Sequence, residues 1–461
     1  GSSGAGGDYN LENSLRFRRT ASANLTRTPA SAGNRKTWTW SGWVKKVPVP
    51  DSQFYSLFTA GVHTTGNHQT DISLSTYGPS GLYDSIIFSS GVYAVSIECQ
   101  FGFANAFRDS SAWYHIVVAI DTTEAADADR CKIWVNNQQL GTRIGYAGRS
   151  TTITLNYDTA VNNTVEHQLG GSAAQYSTDY YDGYLTEVNL VDGQALTPSD
   201  FGDYNEDTGV WQTKEYTGTY GTNGYYLNGS TSGTTVLDES SNSNNWASNN
   251  MNLTNSALAT YDIMTDVPTL TDEDMANYAV MNPLDLASTS TVMSDGNLKV
   301  SHTGAVWNAD RATVGVSSGK WYWEVTINVL GYTFAGGVMK TELAILNNTF
   351  PGNGSYPSGS SFGYYFTGSK YGGGLNNAAY GASYTNGDTI GTALDLDAGT
   401  ITFYKNGVSQ GVAWTGLSGE FAPATGLYST SNHDVNFGQR PFKYTPPTGY
   451  LKLNTFNLPD S

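Results

Sequence analysis

The sequence predicts an all-β protein made of two antiparallel jelly-roll-type β-sandwiches joined by an aromatic, mostly irregular connector. Its 461 residues exceed what a single hydrophobic core normally supports, which favours more than one domain. Charged residues make up only 14% of the chain, whereas glycine and tyrosine are abundant, with 52 and 31 residues. This composition, together with a near absence of helical periodicity, is typical of short strands joined by polar turns.

Residues 1–10 are predicted to form a flexible N-terminal arm. The stretch GSSGAGGDYN is rich in glycine and lacks the charged and apolar regions of a secretory signal. The sequence also contains no run of eighteen apolar residues that could cross a membrane as a helix. We therefore expect neither export nor membrane insertion.

Residues 11–204 are predicted to form the first sandwich. In KTWTWSGWVKK, Trp38 and Trp40 alternate with Thr39 and Ser41, and the run HIVVAI is apolar on nearly both faces, as in a central strand. The blocks SLRFRRTASANLTRTPAS, WYHIVVAIDTTEAADADRCKIWVNNQQL and YYDGYLTEVNLVDGQALTPSDF, in that order, resemble a laminin-G-like, concanavalin A-like domain. The resemblance implies a jelly roll, a shape shared by many lectins and some glucanases.

The connector, residues 205–286, has little periodicity but contains many scattered aromatic residues. Its apolar anchors include Trp211, Tyr216, Tyr220, Tyr225 and Tyr226. A free linker would not need so many anchors, so we expect the connector to pack on the sandwiches as an arm or as added strands.

Residues 287–443 are predicted to form the second sandwich, followed by a C-terminal tail at 444–461. In SGKWYWEVTI, Trp321 and Trp323 alternate with Tyr322 as in a half-buried strand. In GDTIGTALDLDAGTITFYKNGVSQGVAW, the Asn-Gly pair supplies the positive φ angles of a tight hairpin. Together with a third block, FAPATGLYSTSNHDVNFGQRPF, these two blocks resemble a SPRY domain. The resemblance implies an antiparallel sandwich whose loops at one end bind partners and which has no catalytic residues of its own.

The charge balance and the cysteines restrict the partners and the folding compartment. A formal net charge of −17 opposes binding along a nucleic-acid backbone or to an anionic membrane. Cys99 and Cys131 are the chain's two cysteines, and both lie in apolar, strand-like segments that suit buried, reduced thiols. We expect folding in a cytoplasm and no nucleic-acid partner.

We predict no enzymatic activity, no catalytic residue, no metal site and no cofactor. The Glu-x-Asp-x-x-Glu spacing of glucanases is absent, and Glu187 and Asp192 are spaced wrongly for both carboxylates to face one groove. No Gly-x-Ser-x-Gly elbow precedes a predicted helix, which argues against a hydrolase triad. A carbohydrate-active enzyme of glucanase-like fold is the most distant alternative.

The candidate ligand-binding residues are aromatic side chains in glycine-, serine- and asparagine-rich loops of the second sandwich. They are Tyr332, Phe334, Tyr356, Tyr371, Tyr380 and Tyr384. Tyrosine in such loops combines a large, rigid contact area with adaptable hydrogen bonding, a composition also used by antibody paratopes. Sugar stacking and protein docking both fit this chemistry.

The order of the blocks along the whole chain resembles structural proteins of marine tailed bacteriophages. That order is the laminin-G-like domain, the aromatic connector, NYAVMNPL, the SPRY-like domain and RPFKYTPPTGYLKLNTFNLP. The resemblance implies a virion protein that folds in the host cytoplasm, is present in many copies on the particle surface and contacts other virion proteins.

Two roles on the virion follow from this resemblance. The first is a fibre-type adhesin that binds a host-surface glycan or protein through its loops, with weak contacts multiplied over many copies. The alternative is a capsid decoration or head-fibre protein clamped to the shell.

Overall fold

The computed structural model of this protein describes residues 9–47, 54–62, 68–75, 84–92, 96–104, 107–172, 179–286 and 290–459. Within these ranges the chain forms β-strands and contains no α-helix, so the all-β prediction is confirmed. Short 3₁₀ turns occur at Arg19–Ala21, Asp127–Asp129, Tyr146–Gly148 and Pro198–Asp200. No helix of the described residues is long and apolar enough to span a bilayer.

The chain divides into two compact units. The first contains the described residues up to Thr254 together with Asp262–Thr269, and the second contains Asn255–Tyr261 and the described residues from Leu270 onward. The predicted connector is therefore not a separate body, because its residues are divided between the two units.

The first unit is built on two antiparallel sheets, with strands numbered in chain order. One sheet runs β10 (Gln138–Gln139), β9 (Cys131–Val135), β8 (Tyr114–Asp121), β3 (Thr37–Lys46), β13 (Gly183–Asp192), β1 (Ser14–Phe17) and β20 (Ile263–Met264), with β16 (Tyr225–Leu227) also paired to β13. The other runs β11 (Ile144–Gly145), β7 (Ser96–Phe103), β6 (Ser85–Val92), β5 (His68–Ser75), β4 (Phe54–Gly61), β12 (His167–Leu169), β2 (Asn24–Arg27), β19 (Trp246–Asn249), β18 (Thr235–Val236) and β17 (Thr231–Ser232). A separate hairpin joins β14 (Gly202–Tyr204) and β15 (Trp211–Thr213).

The apolar faces of these two sheets share one core. The buried rings of Trp40 on β3 and Phe58 on β4 are nearly parallel, with centroids 6.5 Å apart. Trp38 is fully buried in the same core, as the alternation in KTWTW predicts. Cys99 and Cys131 are buried free thiols.

Two buried carboxylates fix the segment Asp262–Thr269 to the first unit. Asp262 accepts hydrogen bonds from the Nε atoms of Arg16 and Arg18, at 3.2 and 2.8 Å. Asp266 lies 2.7 Å from Lys45 Nζ in an ion pair whose side chains are almost completely buried. Burial alone would lower the pKa of this lysine, whereas the carboxylate of Asp266 opposes that shift.

The second unit contains two antiparallel sheets of seven strands each in the described part of the chain. The front sheet runs β21 (Met281–Leu286), β24 (Asn308–Ala312), β33 (Phe421–Tyr428), β26 (Tyr332–Lys340), β27 (Ser361–Tyr365), β28 (Ser369–Gly372) and β29 (Leu375–Ala379). The back sheet runs β22 (Thr291–Ser294), β23 (Lys299–His302), β34 (Ser431–Asn436), β25 (Lys320–Val329), β30 (Thr389–Asp395), β31 (Thr400–Lys405) and β32 (Val408–Thr415).

Aromatic contacts between the front and back sheets form the core of the second unit. Tyr364 of β27 stacks on Phe403 of β31 with centroids 5.3 Å apart. At the turn between β31 and β32, Asn406 and Gly407 have φ angles of 50° and 77°, as the Asn-Gly pair predicts. The C-terminal tail also packs on this unit, since Leu451 N donates to the carbonyl of Lys320 at 2.8 Å.

Residues 341–360 form a loop that covers the outer face of the front sheet, opposite its core face. Two glycines of the sheet allow this loop to approach closely. A Cβ on Gly363 would lie 2.2 Å from the carbonyl oxygen of Pro351, and one on Gly426 would lie 3.0 Å from Cβ of Phe350. Glycine is therefore required because any side chain would displace the loop.

We predict that Gly363→Ala destabilises the second unit by about 1–3 kcal/mol, because the methyl group would clash with the Pro351 carbonyl. Gly354→Ala is the matched control, since its nearest neighbour, Asn376, lies 3.7 Å away, and we expect a change within about 0.5 kcal/mol. Urea unfolding of the full chain measures both. Equal stabilities of the two variants would contradict the close approach.

Candidate functional site

One end of the front sheet gathers aromatic residues from distant parts of the sequence. Adjacent antiparallel strands run in opposite directions, so the start of one strand lies beside the end of its neighbour. The start of β26 thus lies beside the ends of β27 and β33, with Phe334 paired to Tyr365 and Tyr332 paired to Tyr428. We call this group the aromatic end surface, and its members are Trp307, Tyr332, Phe334, Phe350, Tyr365, Phe366, Tyr371 and Tyr428.

Phe334 is the centre of the aromatic end surface. Its ring stacks on Phe350 with centroids 4.4 Å apart and planes 8° apart, and it lies 4.7 Å from the ring of Tyr365. Tyr371 packs against it edge-on at 5.1 Å, and Trp307 lies 5.4 Å away. Such stacked and edge-to-face pairs are favourable beyond simple burial and hold the rings in fixed orientations.

The rings of the aromatic end surface differ in exposure, so the surface has a buried base and an accessible rim. Phe334 is 1% exposed, whereas Tyr332 is 50% exposed. The other members of the aromatic end surface are partly exposed. Burial raises the pKa of Tyr365 to about 12, so its phenol is neutral at physiological pH. The surface therefore offers ring faces and neutral hydroxyl groups, which suit stacking on sugars or on apolar side chains.

A comparison with protein families identifies this part of the chain. Residues 320–440 match the model of the SPRY domain family. The chain contains a SPRY domain. The matched range includes most of both sheets of the second unit, whereas Trp307 lies before it.

Three curated relatives each match less than half of this chain. The similarity is 29% identity over 40% of this chain to the ATP-dependent RNA helicase DDX1 of Xenopus laevis. It is 32% over 36% of the chain to a Ran-binding proteins 9/10 homolog of Drosophila melanogaster, and 32% over 32% to the E3 ubiquitin-protein ligase RKP of Arabidopsis thaliana. The chain spans only 24%, 18% and 12% of these three relatives.

Solved SPRY domains are similar to part of this chain. The SPRY domain of human HERC1 is 22% identical and is covered to 96% of its length, with a TM-score of 0.29 and 34% of this chain aligned. A second human SPRY domain is 21% identical and is covered to 95%, with 32% of this chain aligned and a TM-score of 0.28.

The predicted ligand-binding residues of the SPRY domain fall into three groups. Tyr332, Phe334 and Tyr371 belong to the aromatic end surface. Tyr380 is partly exposed, but its hydroxyl donates to the carbonyl of Gly411 at 2.5 Å and fastens two edge strands together. Tyr356 and Tyr384 are buried and are not part of the candidate site.

Hydrogen bonds explain the burial of Tyr356 and Tyr384. The hydroxyl of Tyr384 donates to the carbonyl of Tyr364 at 2.8 Å and accepts from Ala335 N at 3.0 Å. The hydroxyl of Tyr356 lies 2.7 Å from Oγ1 of Thr349 and supports the covering loop. Both phenols therefore satisfy polar groups of the scaffold.

Five members of the aromatic end surface were not predicted from the sequence. They are Trp307, Phe350, Tyr365, Phe366 and Tyr428. Several of them lie at the ends of strands. The sequence does not show which strands pair, so it does not show that these ends lie together at one end of the sheet.

The described residues of the first unit contain a Ser–His contact that resembles part of a hydrolase triad. Ser41 Oγ lies 2.9 Å from Nε2 of His115, and Nε1 of Trp211 donates to Nδ1 of His115 at 3.0 Å. Burial lowers the pKa of His115 to about 3, so the ring is neutral with its proton on Nε2. This nitrogen donates to Ser41 and cannot accept a proton from it.

Metal ligands are not brought together in the described part of the chain, which contains no group of three or more His, Cys, Asp or Glu side chains placed to hold an ion. His68 contacts the hydroxyl of Tyr157 at 2.5 Å.

We predict that Phe334→Ala lowers the free energy of unfolding by about 3–5 kcal/mol, because it removes the buried ring at the centre of the aromatic end surface. Tyr332→Ala should cost about 1 kcal/mol or less, since half of that side chain is exposed. Urea unfolding compares the two variants. A larger cost for Tyr332→Ala would show that the rim, not Phe334, supports the surface.

Proposed function

We propose that this protein is a non-enzymatic virion protein of a tailed bacteriophage that binds a host-surface glycan or protein through the aromatic end surface of its SPRY domain. The observation that carries the proposal is the partly exposed rim of rings on a buried aromatic base. Tyr332 is half exposed and packs on Trp307, which in turn packs on the buried Phe334.

A binding surface that is already ordered loses little conformational entropy when a ligand binds. A rotamer-rich side chain immobilised on binding costs about 0.5–1.5 kcal/mol. The rings of the aromatic end surface already restrict one another, with Trp307 in contact with Tyr332 and Tyr428. Little of that cost remains at the moment of binding, and display in many copies multiplies weak contacts into strong adhesion.

The curated relatives support a binding role for the SPRY domain. Their names describe an RNA helicase, a Ran-binding protein homolog and a ubiquitin ligase, and the chain matches less than a quarter of the length of each. A domain that occurs in proteins with such different activities is typical of an interaction module.

The virion setting and the laminin-G-like identity of the first unit belong to the same proposal. They rest on the order of the sequence blocks, from SLRFRRTASANLTRTPAS to RPFKYTPPTGYLKLNTFNLP. In this setting the other virion proteins are structural partners. The net charge of −17 favours solubility, because copies that carry the same charge repel one another.

Binding of fluorescently labelled protein to cultured marine bacteria tests the adhesive surface. On a strain that binds the unaltered protein, Tyr332→Ala should reduce binding at least about tenfold, as expected for a central aromatic contact. Tyr204→Ala is the matched control, since Tyr204 is 48% exposed, close to the 50% of Tyr332, and lies in the first unit. Equal binding of the Tyr332 variant and the control would overturn the role of this surface.

Cryo-electron microscopy of intact particles tests the position on the virion. The proposal expects this chain at the tail or at another exposed fibre. Density distributed over the capsid lattice would instead favour the alternative of a decoration protein clamped to the shell.

A further inference from the structure

Glu187 occupies an unusual position in β13. The pairing of this strand with β3 shifts register between Thr186 and Asn189, and Glu187 has a φ of 53° within that irregularity. A left-handed backbone is unfavourable for glutamate, so the surrounding contacts must hold it there. Its side chain is nevertheless 96% buried, with 4% relative exposure.

The Glu187 carboxyl group forms a closed ring of contacts with two phenols. The hydroxyl of Tyr9 lies 2.8 Å from Oε2 of Glu187, and the hydroxyl of Tyr226 contacts Oε1. The two hydroxyl oxygens also lie 2.5 Å from each other. Three groups therefore make three mutual hydrogen-bonding contacts.

The number of protons decides which state of Glu187 fits this ring. Each of the three contacts needs one proton between its two oxygens, and the two phenols supply one proton each. With an ionised carboxylate, both phenols donate to it and no proton remains for the Tyr9–Tyr226 contact. With a protonated carboxyl group, each member donates once and accepts once, so the ring is complete.

The electrostatic surroundings favour this protonated state. Burial is the main cause that raises the pKa of Glu187 to about 7; the hydrogen bonds from the two phenols oppose this rise, and the nearby carboxylate of Glu215 adds to it. Tyr220 faces the same region, with its hydroxyl donating to Asn189 Oδ1 at 2.8 Å. Asp238 accepts a hydrogen bond from the backbone N of Tyr226 at 2.8 Å. Among the described residues, no cation forms an ion pair with Glu187.

Tyr9 connects this ring to the start of the described chain. Leu11 is buried, and the carbonyl of Asn13 accepts from Oγ1 of Thr186 at 2.8 Å, immediately before β1 begins at Ser14. Residues 9–13 thus pack against the rest of the first unit, and Tyr9 is attached through its hydroxyl group.

We propose that Glu187 and Tyr226 form a proton-dependent latch that holds residues 9–13 against the first unit and releases them when Glu187 loses its proton. Release admits water to the carboxyl group, which lowers its proton affinity. The docked state therefore binds more protons than the released state, and docking is favoured at acidic pH and weakened as the pH rises through neutrality.

Hydrogen exchange of the full chain, followed by mass spectrometry on a peptide that covers residues 9–13, tests the latch. After correction for the intrinsic pH dependence of exchange, protection should fall at least about threefold between about pH 6 and about pH 8.5. A peptide from β8 reports whether the fold itself is intact. Protection of residues 9–13 that does not change with pH would overturn the proposal.

Glu187→Gln separates the latch from a simple packing role. The glutamine amide donates one proton and its carbonyl accepts one, so the ring stays complete at every pH. We expect protection of residues 9–13 to become high and independent of pH. Glu215→Gln, which removes an exposed neighbouring charge without entering the ring, should keep the pH dependence.

Tyr9→Phe provides a second variant that does not alter β13. It removes two contacts of the ring and should abolish protection of residues 9–13 at both pH values while β8 remains protected. Retained pH dependence in Glu187→Gln, or retained protection in Tyr9→Phe, would contradict the latch.

Discussion

The close approach of Phe350 and Pro351 to the front sheet is the constraint on which the aromatic end surface depends. Without the covering loop, the ring of Phe334 would lose its stacking partner and face water. Ordering a residue costs about 1–2 kcal/mol, so one buried ring worth about 1.5–3 kcal/mol cannot hold a loop of this length. Further anchors are needed, and the buried cluster of Ala309, Met339, Tyr356 and Ala424 supplies them.

Local features of the second unit could be predicted from the sequence, whereas only part of the site could, namely Tyr332, Phe334 and Tyr371. The alternation around Trp321 and the hairpin at Asn406 involve neighbours in the chain, so their patterns are visible directly. The aromatic end surface joins Trp307 to Tyr428, which are far apart in sequence. Only the strand register brings them together. Tyr384 illustrates the opposite case, because distant backbone groups draw a loop tyrosine into the core.

In the first unit, buried charged residues hold part of the connector in addition to aromatic residues such as Tyr225, which is buried in the core. Asp262 and Asp266 fix a connector segment through Arg16, Arg18 and Lys45. Removing one partner of a buried ion pair costs about 3–5 kcal/mol, comparable to the loss of a large core side chain. The composition shows that charged residues are few, but it does not show which of them are buried. The formal charge of −17 also counts Glu187 as ionised, although burial raises its pKa to about 7.

Tyrosine has different roles in this protein, and the partner of the hydroxyl group separates them. Tyr384 and Tyr380 donate to backbone carbonyls, so their phenols complete the scaffold. Tyr9 and Tyr226 share protons with a carboxyl group, which makes their contact sensitive to pH. Tyr332 is half exposed, and its ring packs edge-on against Phe366 and Tyr428. A half-exposed phenol whose ring is held by its neighbours can stack on a ligand and form hydrogen bonds with it, and this is the physical reason to propose recognition at Tyr332.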